Sequence, residues 1–129
     1  RKTFFKFKKE IDKIKIKLKD KLTKIIKKEK KIHGYGASTK GNVLLQYFGL
    51  DNSMINFVAE RNSKKYDFFT PGSKIKIISE SKSRAMKPDY YLVLPWHFKN
   101  EILKRERKMI KKGTSFIFPL PSIQTISKY

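Results

Sequence analysis

The chain has 129 residues, enough for one domain with one core and too few for two. It carries a formal net charge of +21, and its ten Phe and six Tyr within a 39% hydrophobic content suffice for a packed interior. The absence of cysteine excludes disulfides, thiolate metal sites and cysteine nucleophiles, and no apolar run approaches the roughly 18 residues of a membrane span.

Charges interrupt every apolar stretch near the start, so no signal peptide is read there and a cytoplasmic setting is expected. The chain begins with Arg1, which points to a piece of something longer. Residues 4–30 carry a helical pattern in which Phe7, Ile11, Ile14, Leu18, Leu22 and Ile25 fall on one stripe and lysines fill the other faces. Such a stripe docks on a sheet or on a neighbouring domain, and an anionic membrane surface is the rival. Residues 1–31 hold +11 of the charge and the rest holds +10, so no single arm concentrates it. Only five of the 32 basic residues are arginine, although phosphate and base recognition favour that side chain. The excess charge therefore reads mainly as solvated surface, and a nucleic-acid partner is disfavoured.

Lys31-Ile32-His33 is a short strand candidate leading into Gly34-Tyr35-Gly36-Ala37-Ser38-Thr39-Lys40-Gly41-Asn42. A helical run through Val43 to Phe48 follows and stops at Gly49. A strand, a glycine-rich turn and a helix N-terminus together make an anion cradle, because glycines admit close backbone approach and free N–H groups point outward. Ser38 or Thr39 caps the helix in this reading and Lys40 stands in its first turn as a cation. The glycine spacing matches neither the dinucleotide fingerprint nor a Walker loop, and a simple strand-to-helix turn explains the same residues.

Met54 to Ala59 reads as a second strand ending at Glu60, twenty-four residues after Gly36. An acid there suits ribose hydroxyls in nucleotide-binding α/β units, and equally an ordinary surface glutamate. Pro71-Gly72 turns the chain into a short strand over 74–78, and the polar stretch up to Lys87 has room for one helical turn. Tyr90 to Leu94 has the look of a strand buried on both faces. It ends at Pro95-Trp96-His97-Phe98, which makes Trp96 and His97 site candidates by location and packing residues otherwise. A helix is expected over 100–112 with Ile102, Leu103, Met109 and Ile110 inward, ended by Gly113. Ser115 to Phe118 is the last expected strand, and Leu120, Ile123 and Ile126 suggest a docked tail. The alternation implies an α/β three-layer sandwich with a mostly parallel sheet, preceded by the long basic amphipathic helix.

The turn at 34–42, Arg61-Asn62, Pro71-Gly72, Pro88-Asp89-Tyr90 and Leu92-Val93-Leu94-Pro95-Trp96 with Glu101-Ile102 resemble the C-terminal domain of the sugar-nucleotide C-methyltransferases. The similarity runs over about residues 32–121, and the region before it is similar only as a lysine-rich connecting helix. Two parts are thus expected, a connecting helix over 1–31 and a Rossmann-like domain over 32–129. The resemblance implies that the domain binds a nucleotide-sugar of the dTDP-deoxysugar type. Binding would use Gly34, Tyr35, Gly36, Ala37, Ser38, Thr39, Lys40, Gly41, Glu60, Trp96 and His97. It further implies that S-adenosylmethionine, zinc and the catalytic base belong to an upstream part of the polypeptide, with no catalytic or metal-binding residue in this chain. Glu60 stands where the family has Asp, and His97 where Asn commonly follows the Trp. Two alternatives remain: a degenerate Rossmann-like structural or dimerisation module, and a basic nucleic-acid-binding domain.

Overall fold

Strand β1 (Ile32–Tyr35) occupies the middle of a six-stranded sheet, paired in parallel with β2 (Phe57–Glu60) on one side and β4 (Tyr90–Val93) on the other. The computed structural model describes residues 2–128 and the side chains from Lys6 onward, so Arg1 and Tyr129 lie outside the described residues. Strand order is β3-β2-β1-β4-β5-β6, with β3 at Ile77–Ser79, β5 at Ser115–Phe118 and β6 at Gln124–Ile126. All pairings are parallel except β5–β6. The expected mostly parallel sheet is present, and the tail over Gln124–Ile126 adds an antiparallel edge strand beyond the expected docking.

Alternation along the strands sends side chains to two cores. Ile32, Val58, Leu92 and Ile117 face one layer, where Leu18, Leu22 and Ile25 of helix α1 (Lys2–Lys27) meet Leu45 of helix α2 (Thr39–Tyr47). Tyr35, Tyr91, Val93 and Phe116 face the other, against Ile102 of α4 (Lys99–Arg105) and Met109 of α5 (Arg107–Lys111). The six-residue helix α3 (Glu80–Ala85) lies on this second face, where Ser83 reaches His33 and Tyr91. Three layers result.

The apolar stripe of α1 docks only over its later turns. Leu18 and Leu22 are fully buried, whereas Phe7 is exposed. Burying one such leucine contributes roughly 1.5–3 kcal/mol. Among the described residues, no helix is long and apolar enough to cross a membrane.

The helix expected over 100–112 is divided at Glu106, whose backbone turns to φ −101°, ψ 18°. That residue lies four positions after Ile102, so the helical period aims it at the core. It is 1% exposed, and its carboxylate is bound to Arg84 and Tyr35. The second strand begins at Phe57, later than the pattern suggests, because Met54 and Ile55 close a hydrogen-bonded turn on Asp51.

Candidate functional site

The turn after β1 is shaped by its neighbours in the fold. Gly36 has φ +88°, and a Cβ there would stand 2.8 Å from Pro95 Cδ. A Cβ on Gly41 would meet Leu94 Cβ at 2.9 Å, so this glycine brings the first turn of α2 against the end of β4. Ser38 is the N-cap, accepting a hydrogen bond from the Gly41 N–H at 3.0 Å. The backbone amides divide into two groups. Gly36 donates to the Ala59 carbonyl at 2.8 Å and Ala37 donates to Glu60 Oε1 at 2.7 Å. The N–H groups of Ser38, Thr39 and Lys40 have no acceptor among the described residues. The open part of the cradle is therefore the helix N-terminus, displaced from the glycines.

Glu60 is at the end of β2, the position expected from the sequence. Both of its oxygens accept from backbone, the second from Asn62 N–H at 2.8 Å. Lys65 donates to the Ala37 carbonyl at 3.0 Å, so the turn is tied to the β2 side through two charged side chains.

Two clefts open at the carboxyl ends of β1 and β4, the point where strand order reverses and where open α/β sheets hold ligands. Ser38, Pro95 and Phe98 border both. The first, of about 400 Å³, includes Tyr35, Gly36 and Glu60, with Arg61, Lys65 and Arg105 matched by Glu60, Glu80 and Glu101. The second, of about 830 Å³, includes Thr39, Lys40, Trp96 and His97 and has no carboxylate on its lining. Its apolar wall contains Val43 and Phe98, exposed at 60% and 49%. The His97 ring lies 4.3 Å from that of Phe98 and 5.6 Å from that of Trp96. Gly34, Ala37 and Gly41 line neither cleft. Gly34 packs on Val58 inside the sheet, and Ala37 is buried in the α1–α2 core.

Sequence reasoning missed a polar cluster beneath the first cleft. Arg84 grips Glu106 with two bonds, Nε to Oε1 at 2.9 Å and Nη2 to Oε2 at 2.5 Å. The Tyr35 hydroxyl donates to Glu106 at 2.8 Å and accepts from Arg105, which also reaches Glu80 at 3.1 Å. Burial acts to raise the Glu106 pKa, but the bonds from Arg84 and Tyr35 outweigh it and hold the carboxyl below its ordinary value. Burial pushes the Tyr35 hydroxyl well above the usual tyrosine range. Nearby, His33 Nδ1 and the Tyr91 hydroxyl each lie 2.6 Å from Ser83 Oγ, and burial lowers the His33 pKa to about 4. The available signal was a glutamate on an apolar helical stripe.

A doubly wound α/β sheet with paired clefts at its switch point defines a Rossmann-like domain. The chain belongs to the family of C-methyltransferase C-terminal domains, whose profile matches residues 1–121. It is similar to the C-methyltransferase NovU of Streptomyces niveus, with 33% identity over 116 residues, covering 90% of this chain and 28% of that protein.

Proposed function

We propose that this domain forms the nucleotide-sugar side of an S-adenosylmethionine-dependent sugar C-methyltransferase of deoxysugar biosynthesis, working in the cytoplasm. Methylation at carbon requires a base to form an enolate beside a ketone and a donor to stabilise the developing oxyanion. The chain's own residues fit binding rather than that chemistry. The second cleft carries the proposal: free amides at Ser38 to Lys40, the Lys40 cation and His97 border an aromatic wall with no opposing carboxylate. A diphosphate would take the amides and Lys40, and a nucleobase or sugar face would lie against Trp96 and Phe98.

The residues present offer zinc no ligand set, and they support placing S-adenosylmethionine elsewhere. The chain has no cysteine, and among the described residues no three His, Asp or Glu gather as ligands. The strand-end acid that a cofactor ribose would meet, Glu60, already accepts one backbone amide at each oxygen and lines the first cleft beside Arg61 and Lys65. Both groups are assigned to other parts of the polypeptide.

Calorimetric titration of the 129-residue chain with a dTDP-hexose tests the reading. Weak binding is expected, reduced by Lys40→Gln and by Trp96→Ala, with no methyl transfer by the chain alone. Methyl transfer by these residues alone overturns the division of labour. A structural or dimerisation module is the second reading, favoured by the packing of Gly36 on Pro95 and of Gly41 on Leu94. Absence of binding at millimolar dTDP-hexose selects it.

A further inference from the structure

A groove of about 510 Å³ runs between α3 and α5, on the helical layer that carries Glu106. Its charge differs from that of the first cleft. Arg84, Lys87, Arg105, Lys108 and Lys112 line it, and Glu106 is the one carboxylate among its lining residues. The first cleft sets three cations against three carboxylates, so a lysine-rich composition does not by itself produce this imbalance.

The two arginines are held in place. Arg84 is fixed by Glu106 and Glu80, and Arg105 by Tyr35 and Glu80. These bonds use Nε and Nη2, leaving Nη1 of each without an acceptor among the described residues. Lys87, Lys108 and Lys112 form no ion pair among the described residues. A smaller depression sharing Arg84, Lys87, Met109 and Lys112 extends the groove toward Gly113 and Thr114; it adds one carboxylate, Asp89, whose Oδ2 accepts from the Lys31 N–H at 2.7 Å. An elongated cationic channel on pinned guanidinium groups suits linked phosphates, since each phosphate offers several acceptors to charged donors.

We propose that the α3–α5 groove is a binding site for an oligophosphate chain, free or carried by a nucleotide. It is independent of the dTDP-sugar reading, which rests on the second cleft: none of that cleft's lining residues borders this groove, although Arg105 also borders the first cleft. The test is an NMR titration of the isotope-labelled 129-residue chain with tripolyphosphate at about 150 mM salt, where long-range attraction is screened. Shifts are expected at the amides of Lys87 and of Met109 to Thr114. A triple variant, Lys87→Asn with Lys108→Gln and Lys112→Gln, should weaken binding at least about tenfold. Asn is chosen because Lys87 has φ +52°, which Asn tolerates. Removing the same charge from α1 with Lys8→Gln, Lys9→Gln and Lys13→Gln should change it less than about twofold. A parallel titration with adenosine triphosphate separates the two sources: similar affinity means the phosphates alone are read, and tighter binding means that the base adds contact. Equal weakening by both triple variants overturns the proposal. So do shifts confined to Ser38–Lys40, or no shift at millimolar tripolyphosphate.

Discussion

Replacing Glu106 by glutamine keeps the side-chain volume and removes the charge at the centre of the polar cluster. The carboxylate accepts from Arg84 at 2.9 and 2.5 Å and from Tyr35 at 2.8 Å, with its side chain 1% exposed. An amide keeps one acceptor oxygen and turns an NH2 group toward donors. Removing one member of a buried pair costs about 3–5 kcal/mol. Here Arg84 and Arg105 are 33% and 36% exposed and retain Glu80, so they recover part of that from water and from the second carboxylate. The expected loss is about 2–3 kcal/mol. At roughly 3–5 °C per kcal/mol for a domain of this size, Tm should fall about 6–15 °C at neutral pH. Thermal and urea unfolding followed by circular dichroism read this directly. The sign of the pH dependence follows from the lowered carboxyl pKa. Its contribution is full above the unfolded-state value and is lost as pH falls through the folded one, so the gap between the two proteins closes in acid. A neutral-pH Tm within about 2 °C of the parent, or a gap undiminished in acid, refutes the reasoning.

His33 binds its proton less readily when folded, with a pKa of about 4, so stability should fall as pH drops from 6.5 toward 4, by about 3 kcal/mol. Urea unfolding across that range should show the slope flattened in His33→Asn, and equal slopes would contradict the assignment. Gly36→Ala places a Cβ 2.8 Å from Pro95 at φ +88° and should cost about 1–3 kcal/mol, measured by urea unfolding. Leu22→Ala, at a fully buried site, should cost about 2–5 kcal/mol in the same assay, whereas a loss below about 1 kcal/mol would mean that α1 is not docked in solution.

What the sequence revealed was local. A continuous apolar run marked β4, Ser115 to Phe118 read as β5, and a cap at Ser38 or Thr39 with the stop at Gly49 bounded α2 nearly to the residue. Those signals lie within a few positions of the structure they specify. The polar cluster joins Tyr35 to Glu106 across 71 residues, and no pattern around either position shows which buried polar groups will meet. Glu60 illustrates the same limit. Its place at the end of a strand was readable, but its capture by the Ala37 and Asn62 amides depends on where the turn after β1 comes to rest. The edge strand β6 was hidden because it is three residues long and follows a stretch broken by Pro119 and Pro121.

That reversed strand sets the character of one margin of the sheet. With only Gln124 to Ile126 to offer, the sheet's last margin gives an approaching backbone little length to zip onto, and it runs against the direction of the rest. The opposite margin is equally brief and is bridged at Lys76 by Phe69. Both flanks are blunted against sheet-to-sheet extension. What remains for recognition is side-chain chemistry on the helical faces and around the cleft mouths, rather than a backbone template.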